Sequence, residues 1–164
     1  MHIIASEQET GKEVFRLRNF RPAIAAALPR CLNLIRRAAY SEYQNRMLYE
    51  YLMNQAPNEE HKNILTGIRN EENTHGKLLR QLYFNLAGQN LPPTGKGTFS
   101  PPSSYCDGLS RAISRKQEAI AYSQETAWYL SNINQAMRMA DVAADEMRHS
   151  LLYLYLYRSN GCTG

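Results

Sequence analysis

The chain has 164 residues, which fits one domain and leaves no room for a second catalytic domain. Its 19 basic and 15 acidic residues give a net charge of +4, but the basic residues form no dense run, which argues against a nucleic-acid partner. No apolar stretch reaches the roughly 18 to 20 residues that a membrane span needs, and the acidic start does not fit a signal peptide, so we expect a cytoplasmic protein.

The cysteines suggest no cross-linked framework. Cys31, Cys106 and Cys162 are odd in number, lie far apart and include no C-x-x-C pair. This pattern predicts free thiols in a reducing compartment, and it indicates neither a set of disulfides nor a thiolate metal site.

Hydrophobic periodicity predicts helices in the first half of the chain. Residues 1–28 form an N-terminal arm of mixed composition, to which the sequence assigns no role. The helical stripe that follows stops near Pro57, has a carboxylate in its middle, and consists of Leu32, Ile35, Ala39, Glu42, Arg46, Tyr49 and Met53. A second helical segment covers residues 59–86 and stops at Gly88, so the two segments predict an antiparallel hairpin.

The second half predicts another hairpin. Residues 88–108 are rich in Pro, Gly and Ser, as a long crossover between two hairpins requires. Helices are predicted at about 109–130 and about 135–157, with a turn at 131–134. The fold class is therefore all-α: residues 29–164 form a four-helix bundle made of two antiparallel hairpins joined by a long crossover.

The tetrapeptide pattern Glu-x-x-His occurs twice, as Glu72–His75 and as Glu146–His149. Positions i and i+3 lie on one face of a helix, so the carboxylate and the imidazole of each pair can reach the same metal ion. One such pair would be weak evidence. Two pairs on two predicted helices favour a metal site in the bundle.

The spacing of the acidic residues adds two further candidate ligands. Glu42 and Glu72 are equally far from Pro57, and Glu118 and Glu146 are equally far from Asn132. Residues equidistant from the turn of an antiparallel hairpin lie side by side, so each pair comes level. The predicted ligands are Glu42, Glu72, His75, Glu118, Glu146 and His149.

This ligand set suits two divalent ions. Four carboxylates supply the negative charge that holds two neighbouring cations together, and one neutral imidazole completes each ion's set. Iron and manganese accept such mixed oxygen and nitrogen ligands, so we expect two iron ions or, alternatively, two manganese ions. Glu125, two turns after Glu118 on the same face, is the competing ligand.

Other polar residues near these positions have lesser expected roles. Tyr49 and Tyr122 lie on the ligand-bearing stripes as possible hydrogen-bond donors, and Asp145 is placed to bind the ring N–H of a ligand histidine. We expect solvated surface for the remaining acidic residues and for His61, which is near a helix start: Glu50, Glu59, Glu60, His61 and Glu71.

These motifs together resemble the ferritin-like superfamily, and most closely its rubrerythrin branch, over residues of about 30 to 157. The resemblance lies in Glu42 followed by Tyr49 and in the segments NEENTHGKLL, PPSSYCDGLSRAI, KQEAIAY and ADEMRHSLLY. The run Asp145–His149 also fits the D-E-x-R-H pattern of di-iron carboxylate enzymes, in which the Asp supports a ligand histidine.

The resemblance implies an oxidoreductase that reduces peroxide or dioxygen. Rubrerythrins proper also carry a rubredoxin-like iron centre on four cysteines, which this chain lacks, so the implied electron donor is external, such as a rubredoxin or a reductase. Rubrerythrins place a further Glu one turn after the third-helix ligand, where this chain has Ala121.

Two other functions compete with this one. The first is ferroxidase activity with iron storage or handling, which needs a large hollow oligomer and is separated by a sizing column. The second is a non-catalytic helical module with a structural metal. Helical bundles often pair to bury more surface, so we expect a homodimer.

Overall fold

The structure is a computed structural model. It describes residues 24–93 and 98–163, and within them the side chains of residues 24–26, 42 and 43 lie outside the description. All regular structure in these ranges is helical, as predicted, in four helices: α1 Ile24–Asn54, α2 Glu59–Ala87, α3 Tyr105–Tyr129 and α4 Ile133–Ser159. The predicted arm 1–28 falls mostly outside the described residues, and its last five residues already belong to α1.

The helices end where the sequence carries capping residues. The side chains of Asn58 and Ser104 accept hydrogen bonds from the first turns of α2 and α3, and Asn132 does so for α4. Gly88 ends α2 in the left-handed conformation, with φ at 67°, a backbone region that favours glycine. These caps explain why the two turns and the crossover begin close to the predicted positions.

Contacts between helices fix the topology. In α1 and α3, Arg37 contacts Tyr122 and Asn45 contacts Arg115, so these helices run antiparallel. Glu60 contacts Tyr155 and His75 contacts Asp145, so α2 and α4 are antiparallel as well. The crossover therefore spans the length of the bundle, and the arrangement is the ferritin-like four-helix bundle that the sequence predicts.

Two apolar cores fill the bundle on either side of a polar middle. The Cys162 core lies near the α1–α2 turn and contains Leu48, Leu52, Leu65, Ile68, Leu109, Tyr153 and Leu156 beside Cys162. The Cys31 core lies near the α3–α4 turn and contains Cys31, Ile35, Leu79, Leu82, Tyr83, Met139 and Val142. Residues between these two sets on α2, α3 and α4 place polar side chains in the middle of the bundle.

The prediction of free thiols is wrong for two of the three cysteines. Cys106 at the start of α3 and Cys162 after α4 form a disulfide, with their Cα atoms 5.6 Å apart. Sequence separation did not suggest this pair, because the two cysteines are 56 positions apart and the fold alone brings them together. Cys31 is a buried free thiol.

His61 is also placed differently from the prediction. It lies at the start of α2 but is only 3% exposed, and its ring lies between the hydroxyls of Tyr105 and Ser159, at 3.0 and 3.1 Å. The end of α4 covers this helix start, which the sequence of α2 alone does not reveal.

Within the described ranges, every helix is too short or too polar to cross a lipid bilayer.

Candidate metal centre

Between the two apolar cores lies a charged layer. Its described side chains come from three helices: Glu72 and His75 from α2, Lys116 from α3, and Glu146 and His149 from α4. All are buried except Glu72, whose side chain is 16% exposed. Charged groups at this depth are costly unless they are paired, so the contacts within the layer decide its chemistry.

The two Glu-x-x-His pairs face each other across α2 and α4. His149 Nδ1 lies 2.9 Å from Glu72 Oε1, and His75 Nδ1 lies 3.4 Å from Glu146 Oε1. Each imidazole therefore turns the same ring nitrogen toward the carboxylate of the opposite pair. This approximate two-fold relation brings two carboxylates and two imidazoles from different hairpins to one point.

The other ring nitrogens are held by acidic residues at the edge of the layer. His75 Nε2 lies 3.2 Å from Asp145, and His149 Nε2 lies 2.6 Å from Glu71. Arg148 donates hydrogen bonds to both Glu71 and Asp145 and so joins the two acids. A carboxylate on the far nitrogen fixes the orientation of an imidazole and leaves Nδ1 for the site. The expected bond from Asp145 to a candidate ligand histidine is confirmed.

Lys116 occupies the middle of the layer. Its ammonium donates to Glu72 Oε1 at 2.5 Å and to Glu146 Oε2 at 2.7 Å, and the side chain is 2% exposed. The same nitrogen lies 5.8 Å from the centre of the Tyr49 ring. The carboxylates of both motifs thus share one internal cation.

Burial and pairing act in opposite directions on these groups. Burial alone would raise the pKa of Glu146, but His149, His75 and Lys116 lower it below its usual value. Burial alone would lower the pKa of His149, but Glu146, Glu72 and Glu71 raise it to about 9. The layer is therefore held in its charged form, with each carboxylate next to a cationic group.

The structure places the predicted ligands unequally. Glu72, His75, Glu146 and His149 come together, whereas Glu118 lies on the exposed face of α3 and is not part of the cluster. Glu42 belongs to α1, but its side chain lies outside the described residues. The six-residue ligand set remains a prediction, and the described geometry supports four of its members.

The reason for the exposure of Glu118 is helical phase. The inward stripe of α3 contains Leu109, Ala112, Lys116 and Ser123 at steps of three, four and seven. A residue two positions after Lys116 points to nearly the opposite side of the helix. Equal distance from the turn gives height along the bundle but not direction, and Lys116 has nearly the same height as Glu118.

The remaining sequence candidates lie away from the layer or beside it. Glu125 forms an ion pair with Arg30 at 2.5 Å, and the Tyr122 hydroxyl accepts from Arg37 at 2.8 Å. Tyr49 is buried, and its hydroxyl has no hydrogen-bond partner in the part of the chain that the structure describes. Burial raises the pKa of Tyr49 well above its usual value, which keeps the phenol protonated.

Two side chains of this region were not predicted from the sequence. Lys116 belongs to no metal-ligand pattern, although its spacing from Leu109 and Ala112 places it on the buried face of α3. Glu71 was assigned to the surface, yet it contacts His149. The repeated order acid-Glu-x-x-His, Glu71 to His75 and Asp145 to His149, would have identified it.

Comparisons with known proteins agree with the helical fold. A family model described as Rubrerythrin matches residues 33–157. A Bacillus subtilis (strain 168) protein named "Uncharacterized protein YhjR" is 25% identical over 127 residues, which cover 77% of this chain and 86% of that protein. No solved structure matches the chain.

The matched family implies a dinuclear metal centre, typically of iron, which raises the question of whether these residues fit one. Ligand atoms of Glu72, Glu146 and His149 lie within 4.8 Å of one another, and His75 Nδ1 is buried with no hydrogen-bond partner among the described residues. These donors fit one divalent ion. Among the side chains that the structure describes they do not fit two, because Lys116 places a positive charge between the two central carboxylates and Glu118 is exposed.

Proposed function

Because the chain belongs to the rubrerythrin family, we propose that its charged layer is the metal centre of an oxidoreductase that reduces peroxide or dioxygen. The observation that supports the proposal is the convergence of two carboxylates and two imidazoles, from α2 and α4, in the middle of the bundle. Even when its charges are paired, a buried cluster of this kind adds little stability compared with apolar residues, which favours a chemical role for it.

In this proposal Glu72, Glu146 and His149 hold a single iron or manganese ion, and His75 Nδ1 supplies a further donor. Such a metal supplies the capacity to pass electrons to an O–O bond. Mixed carboxylate and imidazole ligands suit both metals, whereas structural zinc sites usually take four ligands with sulfur or nitrogen.

The chain's own residues prepare the site in three ways. Glu71 and Asp145 hold the two imidazole rings so that Nδ1 faces the interior. The apolar cores border the layer at both of its ends along the bundle, and Lys116 and His149 are 2% and 0% exposed. The Lys116 ammonium holds protons within hydrogen-bond distance of both central carboxylates, where the products of oxygen reduction require them.

The reaction needs electrons from outside the chain. Reduction of hydrogen peroxide consumes two electrons and two protons and releases two molecules of water. The three cysteines include no C-x-x-C pair, and two of them form a disulfide, so they offer no iron–sulfur centre. We therefore propose an external one-electron donor, such as a rubredoxin, served by a reductase.

The test begins with metal content and then measures turnover. Protein purified without chelators, or reloaded anaerobically with ferrous iron, should hold about one ion per chain and consume peroxide in the presence of reduced rubredoxin. Glu72→Ala should lose the ion and at least tenfold of the rate, because Glu72 is a central carboxylate. The exposed Glu50 gives the matched control, and Glu50→Ala should behave as the unaltered chain.

Either of two results would contradict the proposal. One is the absence of metal from the unaltered protein after reloading. The other is equal metal content and equal peroxide consumption in Glu72→Ala and Glu50→Ala.

A further inference from the structure

We infer that the ammonium group of Lys116 is the resident cation of the charged layer, so that the layer is complete without metal and admits at most one ion. The limit of one ion deepens the proposed function and rests on it. The other part of the inference, that the layer is paired and stable without a metal ion, does not depend on that function.

The first support is the position of the ammonium. It lies 2.5 Å from a carboxylate oxygen of α2 and 2.7 Å from one of α4, and so bridges the two central carboxylates, Glu72 and Glu146. A metal ion that bridges two carboxylates from facing helices would need the same two groups. Because the ammonium holds Glu72 Oε1 and Glu146 Oε2, one oxygen of each carboxylate is left for a metal ion, which suits one bridging ion but not two.

The second support is the burial of Lys116, whose side chain lies in the interior of the bundle and not on its surface. Lys116 lies on the inward stripe of α3 with Leu109 and Ala112, which are 0% and 2% exposed. Its own exposure is 2%, and the ring of Tyr49 packs over the ammonium. Removal of the ammonium from the layer would require α3 to turn or the stem to leave the core.

The third support is the balance of charge. The layer and its edge contain four carboxylates, on Glu71, Glu72, Asp145 and Glu146. They face the side chains of Lys116, Arg148, His75 and His149, each within 3.4 Å of at least one of them. The ammonium of Lys116 already lies between the two central carboxylates, and a second divalent ion would have to lie beside this buried cation.

The experiment compares substitutions of Lys116 with the same substitutions of Lys77. Lys77 is an exposed lysine on α2 and serves as the matched control. Thermal unfolding is followed by circular dichroism in excess chelator and again with Mn²⁺, and Mn²⁺ per chain is counted by native mass spectrometry. Manganese is chosen because it does not oxidise in air as ferrous iron does.

In chelator the unaltered chain should unfold cooperatively, and Lys116→Met should unfold about 10 °C lower, because two buried carboxylates lose their shared cation. Mn²⁺ should raise the midpoint of Lys116→Met more than that of the unaltered chain. Lys116→Glu should bind about two ions per chain, and Lys77→Met and Lys77→Glu should match the unaltered chain in both measurements.

The inference is overturned if the unaltered chain binds two Mn²⁺ ions, if chelator alone unfolds it, or if Lys116→Met is as stable as Lys77→Met without metal. The first two results need no variant, so a Lys116 variant that does not fold leaves the test intact. If the unaltered chain binds no Mn²⁺ while Lys116→Met is destabilised in chelator, the proposed function fails and the resident cation stands.

Discussion

The charged layer and the Cys162 core lie next to each other in the interior of the bundle, but they are stabilised differently. In the Cys162 core each side chain contributes according to the apolar area that it removes from water. In the charged layer each group depends on its partners, because an unpaired charge at this depth costs several kcal/mol. A paired interior charge layer adds little stability beyond what an apolar layer would give, which favours a chemical role for it.

Loss of one central carboxylate should show the largest effect. Glu146 is 4% exposed, and Glu146→Ala removes one of the two partners of Lys116 and the carboxylate that faces His75. We expect a loss of about 3–5 kcal/mol in the free energy of unfolding, measured by urea denaturation in chelator. Glu50→Ala, at an exposed position, should change it by less than about 0.5 kcal/mol. Similar values for the two variants would show that the layer tolerates unpaired charge.

Opening the disulfide at the edge of the Cys162 core should have the next largest effect. The bond joins the start of α3 to the segment after α4 and closes a loop of 56 residues, so its reduction increases the entropy of the unfolded chain. We expect a loss of about 2–4 kcal/mol in the free energy of unfolding. Guanidinium denaturation with and without a phosphine reductant measures it. The double variant Cys106→Ser with Cys162→Ser is the control and should not respond to the reductant; a response there would assign the effect to Cys31.

Loss of one methylene from the Cys162 core should have the smallest effect. Ile68 is 2% exposed, and Ile68→Val leaves a small gap in a packed region, which should cost about 1 kcal/mol. Ile133, at 70% exposure, gives the matched control, and Ile133→Val should change the free energy of unfolding by less than about 0.5 kcal/mol. If Ile68→Val costs as much as Glu146→Ala, volume rather than pairing would dominate both regions.

The helices and the two Glu-x-x-His pairs were accessible from the sequence, because each depends on nearby residues. The capping side chains of Asn58 and Asn132 and the apolar steps of three and four mark helix ends and faces locally. The positions of Glu118 and His61 could not be predicted from spacing along a hairpin or from the sequence of one helix. Glu118 was placed by its height along the hairpin without regard to helical phase, and the cover over His61 comes from residues near the other end of the chain.

The sequence by itself determined an all-α bundle of two hairpins, with a carboxylate and an imidazole three residues apart on α2 and again on α4, because helical periodicity is a local property of the chain. Only the tertiary structure decided that Lys116 bridges Glu72 and Glu146 and that Cys106 meets Cys162. Such pairings join residues 30 or more positions apart, and they depend on how helices rotate against one another, which periodicity within a single helix does not specify.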